Sequence, residues 1–382
     1  MRATPDQVFD RYGISPHQGI LPQVPPAEWQ RAFSLLGFLT QAYVWSSNPP
    51  AEYLPPPIAR PFLAVADRLG LPPIATYSGL VLWNFSFKLS GSDSTNPEHL
   101  QALTTLTGTK DEEWFYMISV AAEARGGPLV AATLHCMEAM HEHDNPGVIS
   151  TVRSLGDGIR DLTRLLSRIH EHCNPRVFYE KIRPMLSGTK VPSFGVLSRG
   201  VFYDTGDGHG LWRKCSGGSN AQSTLIQLLD IFLGVPHLGR DENPTDTASV
   251  ASPSATGGFL EEMQSYIPQE HREFLVHIAQ SNDLRRYVTK CATNVGVHQA
   301  YNNAVKALPS KGSLHLPYGD LRGANLVLTT RTWSPPDGDA AHPELHGTGG
   351  TEFMSFLKTT RDDTRHAVIA SLEQASELDR LS

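Results

Sequence analysis

Two glycine-rich strings stand out for the chemistry their backbones permit: GGSNAQSTLIQLLD, from Gly217 to Asp230, and GTGGTEFMSFLK, from Gly347 to Lys358. Each ends a loop of small residues and opens a stretch with helical apolar spacing. With no Cβ in the way, backbone N–H groups of such a loop approach a bound molecule closely. Two loops of this kind, far apart in sequence, can close over one small-molecule pocket. The sixteen histidines raise metal chemistry as a second possibility. HCMEAMHEH carries His135, Glu138, His141 and His143, and the first two share a helical face. His141 and His143 point about 200° apart on a helix, however, and no HExxH spacing occurs. That run reads as a polar helix end. So does HEHCNP with His170 and His172, because imidazoles favour the last carbonyls of a helix. No GxSxG elbow, GxxxxGK[ST] loop or GxGxxG after a strand is present, so hydrolase, nucleotide and nicotinamide chemistries lack their signatures.

The elements that must position these loops read as helices. In GDGIRDLTRLLSRIHEH, Ile159, Leu162, Leu165, Leu166 and Ile169 make one stripe. Leu225, Ile226, Leu228, Leu229, Ile231 and Phe232 make the segment after the first glycine string apolar nearly all round, which predicts burial. AYNNAVKAL places Ala300, Ala304, Ala307 and Leu308 at helical spacing. Paired β-branched runs with hairpin turns are scarce, so the expectation is an all-α fold. Its expected division is a small helical domain over residues 1–106 packed on a larger helical domain over residues 107–382. Three breaks interrupt the pattern: the Pro-rich connector Asn48 to Pro61, the polar loop His237 to Gly258, and Trp333 to Gly350.

At 382 residues the chain is long for one core, and 40% apolar content is ample for a buried interior. A net charge of −7 without a basic cluster argues against nucleic acid or an anionic membrane surface as partner. No apolar run approaches the roughly 18 residues of a membrane span, and the first residues carry no secretory pattern. A soluble, cytoplasmic protein is expected. Cys136, Cys173, Cys215 and Cys291 form no CxxC pair and read as reduced thiols.

A series of segments, in order along the chain, resembles the indoleamine 2,3-dioxygenase family. They are AYVW (Ala42 to Trp45), LPPIATYSGLVLWN (Leu71 to Asn84), EEWFYMISVAAE (Glu112 to Glu123) and NPRVFYEKIRPMLSG (Asn174 to Gly188). The first glycine string follows, then FLEEMQSYIPQEHREFL (Phe259 to Leu275), AYNNAVKAL and GTGGTEFMSFLKTTRDDT. The resemblance implies a haem b enzyme that uses O₂, with an electron donor to keep the iron reduced. It would cleave the indole C2–C3 bond of L-tryptophan to N-formylkynurenine, the first step of tryptophan catabolism by the kynurenine pathway. It also implies that Tyr77, Phe115 and Ser119 line the pocket above the haem, and that Phe178 and Arg183 meet the substrate. Gly218 and Ser219 match the loop that approaches haem and substrate, Asp230 an acidic position near the proximal side, and Thr348 a loop that closes over the substrate. Arg183 has a physical rationale of its own. A guanidinium grips an α-carboxylate through two parallel hydrogen bonds worth about 1.5–3 kcal/mol each. Asn220 stands where alanine is expected.

The same resemblance places His315 at the iron-ligand position. The family sets that histidine in a long helix, whereas ALPSKGSLHLPYGDLRGANLVL holds Pro309, Gly312, Pro317, Gly319 and Gly323. At about 3 kcal/mol per interior proline and about 1 per glycine, a continuous helix there would cost about 9 kcal/mol. This is comparable with the stability of a whole domain. His315 is therefore expected in, at most, a short helix between Pro309 and Pro317. The break and Asn220 keep an alternative open: a family-shaped protein that binds an indole or haem without dioxygenation, or takes an altered substrate.

Overall fold

Apolar residues at helical spacing, separated by short polar breaks, make this chain mostly helical. The computed structural model describes residues 25–190, 197–206, 208–235, 262–291, 293–308 and 368–369. Helix α1 spans Pro26–Trp45 and starts on a proline, which suits the first turn because its missing N–H would bond to nothing there. A two-residue strand β1, Tyr53–Leu54, leads into α2, Pro56–Arg68. This corrects the reading of Asn48 to Pro61 as a plain connector. Pro56 and Pro57 sit in the first turn, where they start a helix, and Ala59, Phe62, Val65 and Ala66 bury one face.

A π-helical turn, Ser78–Leu82, then precedes the antiparallel pair β2, Phe85–Phe87, and β3, Leu100–Ala102. Helix α3 runs from Lys110 to His141, and α4 from Asn145 to Ser167. The expected stripe is the buried face of α4: Ile159, Leu162, Leu165 and Leu166 are all buried, as is Ile169 in the 3₁₀ turn beyond it. Three short helical segments follow, Pro175–Val177, Phe178–Ile182 as a π turn, and Arg183–Met185.

Strands β4, Val201–Gly206, and β5, His209–Arg213, form a hairpin, and β4 pairs in parallel with β1. The scarcity of strand signals did not anticipate this small sheet. Its signal is the alternation in VFYDT, where Val201 and Tyr203 point inward to join a core with Phe33, Leu54 and Phe62. After the first glycine string come α5, Thr224–Phe232, α6, Gln269–Ser281, α7, Leu284–Lys290, and α8, Val295–Ala307.

A second, larger core is built where α3, α4, α5 and α8 meet. Small residues let α4 and α8 touch. A Cβ on Gly156 would stand 3.3 Å from the Ala304 Cα, and one on Gly296 3.0 Å from Ile149 Cδ1. Ile149 precedes Gly156 as Gly296 precedes Ala304, so the two helices run in the same direction. Trp114 Nε1 donates to the Arg168 carbonyl at 3.1 Å, which sets the start of α3 beside the end of α4. The C-terminal end of α8 therefore leads toward the part of the bundle where α3 begins. No helix among the described residues is long and apolar enough to cross a membrane.

Candidate active site

Helix α3 is started firmly. Thr109 caps it by accepting the Glu112 N–H at 3.2 Å, and the buried Glu112 carboxylate accepts the Leu106 and Thr107 amides at 2.7 and 2.6 Å. From that start, Phe115, Ser119 and Glu123 recur every fourth residue and share one face. The Phe115 ring packs on Phe178 with centroids 4.9 Å apart and planes tilted by 43°. Such a pair contributes about 0.5–1.5 kcal/mol beyond the area it buries. Both rings are only half-buried and pack against the large core from its edge. Ser119 is buried, and its hydroxyl donates within its own helix to the Phe115 carbonyl at 3.2 Å.

Arg183 follows Phe178 along the same helical stretch. Its half-buried guanidinium lies 5.1 Å from the centre of the Tyr179 ring. Burial lowers its pKa and the contact with Tyr179 acts the other way, so the group stays a cation. No carboxylate among the described residues pairs with it. A half-buried guanidinium without an anion is the group a ligand carboxylate would complete.

The first glycine loop is pinned from both sides. Ser216 donates its amide to the Tyr266 hydroxyl at 2.7 Å and its hydroxyl to Glu262 at 2.8 Å. A Cβ on Gly218 would fall 2.4 Å from Leu80 Cδ1 and 3.2 Å from the Ala75 carbonyl, so only glycine lets the loop lie against the segment around Tyr77. Half-buried Ser219 caps the 3₁₀ turn Asn220–Gln222 by accepting the Ala221 N–H. The Gln222 amide accepts the Tyr77 N–H and donates to the Gly217 carbonyl, both at 2.9 Å. Ser223 caps α5 by accepting the Ile226 N–H at 3.2 Å, and Asp230 is buried two turns further along that helix.

Glu123 joins these parts. Its carboxyl oxygen Oε1 accepts the Tyr77 hydroxyl at 2.9 Å and also the Ser223 hydroxyl. The residue is half-buried, and desolvation raises its pKa against the pull of the two hydroxyl donors. The Tyr77 phenol, enclosed with it, is pushed well above its usual range by burial and by the neighbouring carboxyl.

Several residues singled out in the sequence lie near one another. Phe115 packs on Phe178 beside the first turns of α3, Ser119 follows one turn along, and Arg183 lies against Tyr179. Tyr77, Gly218 and Ser219 meet at the loop before α5, and Asp230 follows on α5 itself. His315 and Thr348 lie outside the described residues. Sequence reasoning gave no role to Glu123, Gln222 or Ser223. The fourfold spacing from Phe115 through Ser119 to Glu123 was the available signal, as was a serine directly before an apolar helix.

The aromatic pair, the cation with no carboxylate partner among the described residues and the glycine loop suit a flat apolar group with a polar substrate beside it. Burial raises the Cys136 thiol to about 12 and the Cys215 thiol to about 11, so both are unreactive, protonated side chains at neutral pH. Among the described histidines His298, on α8, is the buried one, and neither of its ring nitrogens has a hydrogen-bond partner. The expected ligand His315 follows the end of α8 by eight residues.

Comparison with known proteins gives one consistent result. Residues 10–319 match the family described as indoleamine 2,3-dioxygenase. The chain is 38% identical over 344 residues to indoleamine 2,3-dioxygenase acdA of Aspergillus candidus, covering 88% of this chain and 80% of that protein. It is 37% identical over 360 residues to the indoleamine 2,3-dioxygenase of Saccharomyces cerevisiae, covering 88% and 78%. With 6-hydroxytryptophan 2,3-dioxygenase fscD of Fusarium equiseti it shares 33% identity over 355 residues, covering 91% and 83%. With the family matched over most of its length, and with a helical fold of the expected class, this chain belongs to the indoleamine 2,3-dioxygenase family.

Proposed function

We propose that this protein is a haem-dependent dioxygenase that cleaves the indole C2–C3 bond of L-tryptophan, giving N-formylkynurenine as the first product of tryptophan catabolism. The observation that carries the reading is the arrangement around α3: a half-buried aromatic pair, Phe115 and Phe178, with Arg183 a few residues further along and free of any carboxylate among the described residues. The aromatic rings enclose the indole while the guanidinium holds the α-carboxylate, so side chain and backbone of the amino acid are recognised separately. Gly218 and Ser219 bring backbone close to the bound molecule and exclude water, as Thr348 does from the second glycine string. His315 would hold the haem iron, with Ser219 and Asp230 near the cofactor. Haem, once bound and reduced by an electron donor, supplies the site at which O₂ is activated. The protein's own part is positioning and electrostatics. In this reading residues 1–106 form the small domain and residues 107–382 the large one.

The test is spectroscopic and chemical. Hemin added to the purified protein should produce a Soret band that His315→Ala weakens or shifts. The reduced protein should convert L-tryptophan to N-formylkynurenine. A haem-loaded protein that leaves tryptophan and its ring-hydroxylated relatives untouched would overturn the reading. It would favour the non-catalytic alternative, in which an indole or haem is bound without turnover.

A second reading concerns the substrate alone. The relative named for 6-hydroxytryptophan, together with a buried amide at Asn220 in the glycine loop, supports a ring-substituted tryptophan as the preferred indole. Side-by-side rates with L-tryptophan, 6-hydroxytryptophan and tryptamine decide between the two.

A further inference from the structure

Three elements of the proposed pocket converge on a residue with no part in that reading. Tyr77 precedes the π turn, Ser223 closes the glycine loop and caps α5, and Glu123 lies on α3 one turn beyond Ser119. Both hydroxyls donate to the same oxygen, Oε1 of Glu123. Among the described residues no donor reaches the second oxygen, and no lysine, arginine or histidine stands against the carboxyl group. This is not the pattern of an ion pair. It is a single acceptor that ties two loops to one helix.

A second tie runs beside it. The Gln222 side chain links the Tyr77 amide to the Gly217 carbonyl, so the glycine loop is held at both ends to the segment carrying Tyr77. Gly218 between them packs closely on the same segment, where a Cβ would meet Leu80 and the Ala75 carbonyl. Between the two ties lie Ser219 and Asn220, the residues that would face the bound indole. Loss of Glu123 would release Tyr77 and the Ser223 end together, although neither hydroxyl itself is changed.

We infer that Glu123 is a positioning residue for substrate binding: its Oε1 fixes the Tyr77 segment and the Ser223 end of the glycine loop relative to Phe115 and Ser119. The inference rests on the pocket reading above. It assigns to Glu123 preorganisation of the binding surface, with no contact to the reacting atoms. Preorganisation of this kind lowers the cost of ordering the loop when the ligand binds, so it acts on KM before it acts on kcat. Because only one acceptor oxygen is used, an amide can replace the carboxylate.

The experiment compares Glu123→Ala, Glu123→Gln and Tyr77→Phe with the unaltered protein, all haem-loaded. Glu123→Ala is expected to raise KM for L-tryptophan about tenfold with kcat changed by no more than about twofold. Glu123→Gln is expected to restore KM to within about threefold, and Tyr77→Phe, which removes one of the two bonds, to fall between. Hydrogen exchange of residues 217–223 gives a readout that needs no turnover: their amides should exchange faster in Glu123→Ala and at the original rate in Glu123→Gln. Should Glu123→Ala not fold, Tyr77→Phe and Glu123→Gln carry the comparison. Unchanged KM and unchanged loop exchange in Glu123→Ala, or in Tyr77→Phe if that stands in for it, would overturn the inference. So would a Glu123→Gln protein as impaired as Glu123→Ala. An inert unaltered protein would count against the dioxygenase reading instead, leaving the exchange measurement to judge Glu123.

Discussion

Glu112 and Glu123 stand three turns apart on α3, and the protein gives them partners of different kinds. Glu112 uses both carboxylate oxygens. It accepts the Leu106 amide and the Tyr116 hydroxyl on one, and the Thr107 amide and hydroxyl on the other. Two of those donors are backbone, so the carboxylate dictates the path of the chain into the helix. Glu123 uses one oxygen and meets only side-chain hydroxyls, each on a different element. Hydroxyls rotate and re-pair at little cost, whereas backbone amides do not. The first glutamate therefore fixes where α3 begins, and the second sets how two separate segments meet the middle of it. The same side chain thus serves construction in one place and alignment in the other.

Four measurements would break or sharpen this contrast. The largest effect is expected from Glu112→Ala, which leaves two amides and two hydroxyls without their acceptor. A loss of about 3–5 kcal/mol in urea or thermal unfolding is expected, and a loss below 1 kcal/mol would remove the distinction. Gly126→Ala probes the neighbourhood of Glu123 from the other side. Its new methyl would lie 2.0 Å from Leu225 Cδ2, so α5 or the Leu225 side chain must yield. A cost of about 1–3 kcal/mol is expected, with a rise in KM resembling that of Glu123→Ala if Ser223 moves with its helix.

Tyr77→Phe should cost about 1 kcal/mol, the worth of one hydrogen bond, when measured by denaturant midpoint at constant m-value. The smallest effect is a slope. The folded-state pKa of Glu123 is raised by burial above the ordinary carboxyl value of 4.5, so its contribution to stability is complete below that value. It is lost as pH rises through the folded-state pKa. Glu123→Gln has no such proton to lose, and its stability curve should be flatter than that of the unaltered protein from about pH 4.5 upward. Parallel curves would show that Glu123 titrates alike in the folded and unfolded chains.

The parts of this fold that can be read from the sequence are those in which local pattern and final burial agree. The stripe from Ile159 to Ile169 and the apolar run of α5 are of that kind, since each must bury the face it shows. α2 was hidden because proline usually suppresses helix; Pro56 and Pro57 sit in the first turn, where it is tolerated, and the helix runs on through Pro61. The pairing of β1 with β4 was hidden because β1 has two residues and carries no periodicity of its own. For the proposed site, the expectations for Phe115, Phe178 and Arg183 came from the family pattern, not from their chemistry, because aromatic residues and surface cations occur everywhere. Glu123 was legible by neither route. Its partners lie 46 and 100 residues away, and nothing in the local sequence announces them.

The parallel pairing of β1 with β4 has a consequence for synthesis. Tyr53 aligns with Phe202, and the Phe202 amide bonds to the Glu52 carbonyl at 2.7 Å. The inner face around Phe33, Leu54 and Phe62 is closed by Leu197, Val201 and Tyr203. A ribosome adding about 5–20 residues per second would leave that apolar surface waiting on the order of ten seconds for its last wall. The N-terminal third of this protein should thus be a client of chaperones during translation, and a fragment stopped before residue 197 should precipitate where the full chain does not.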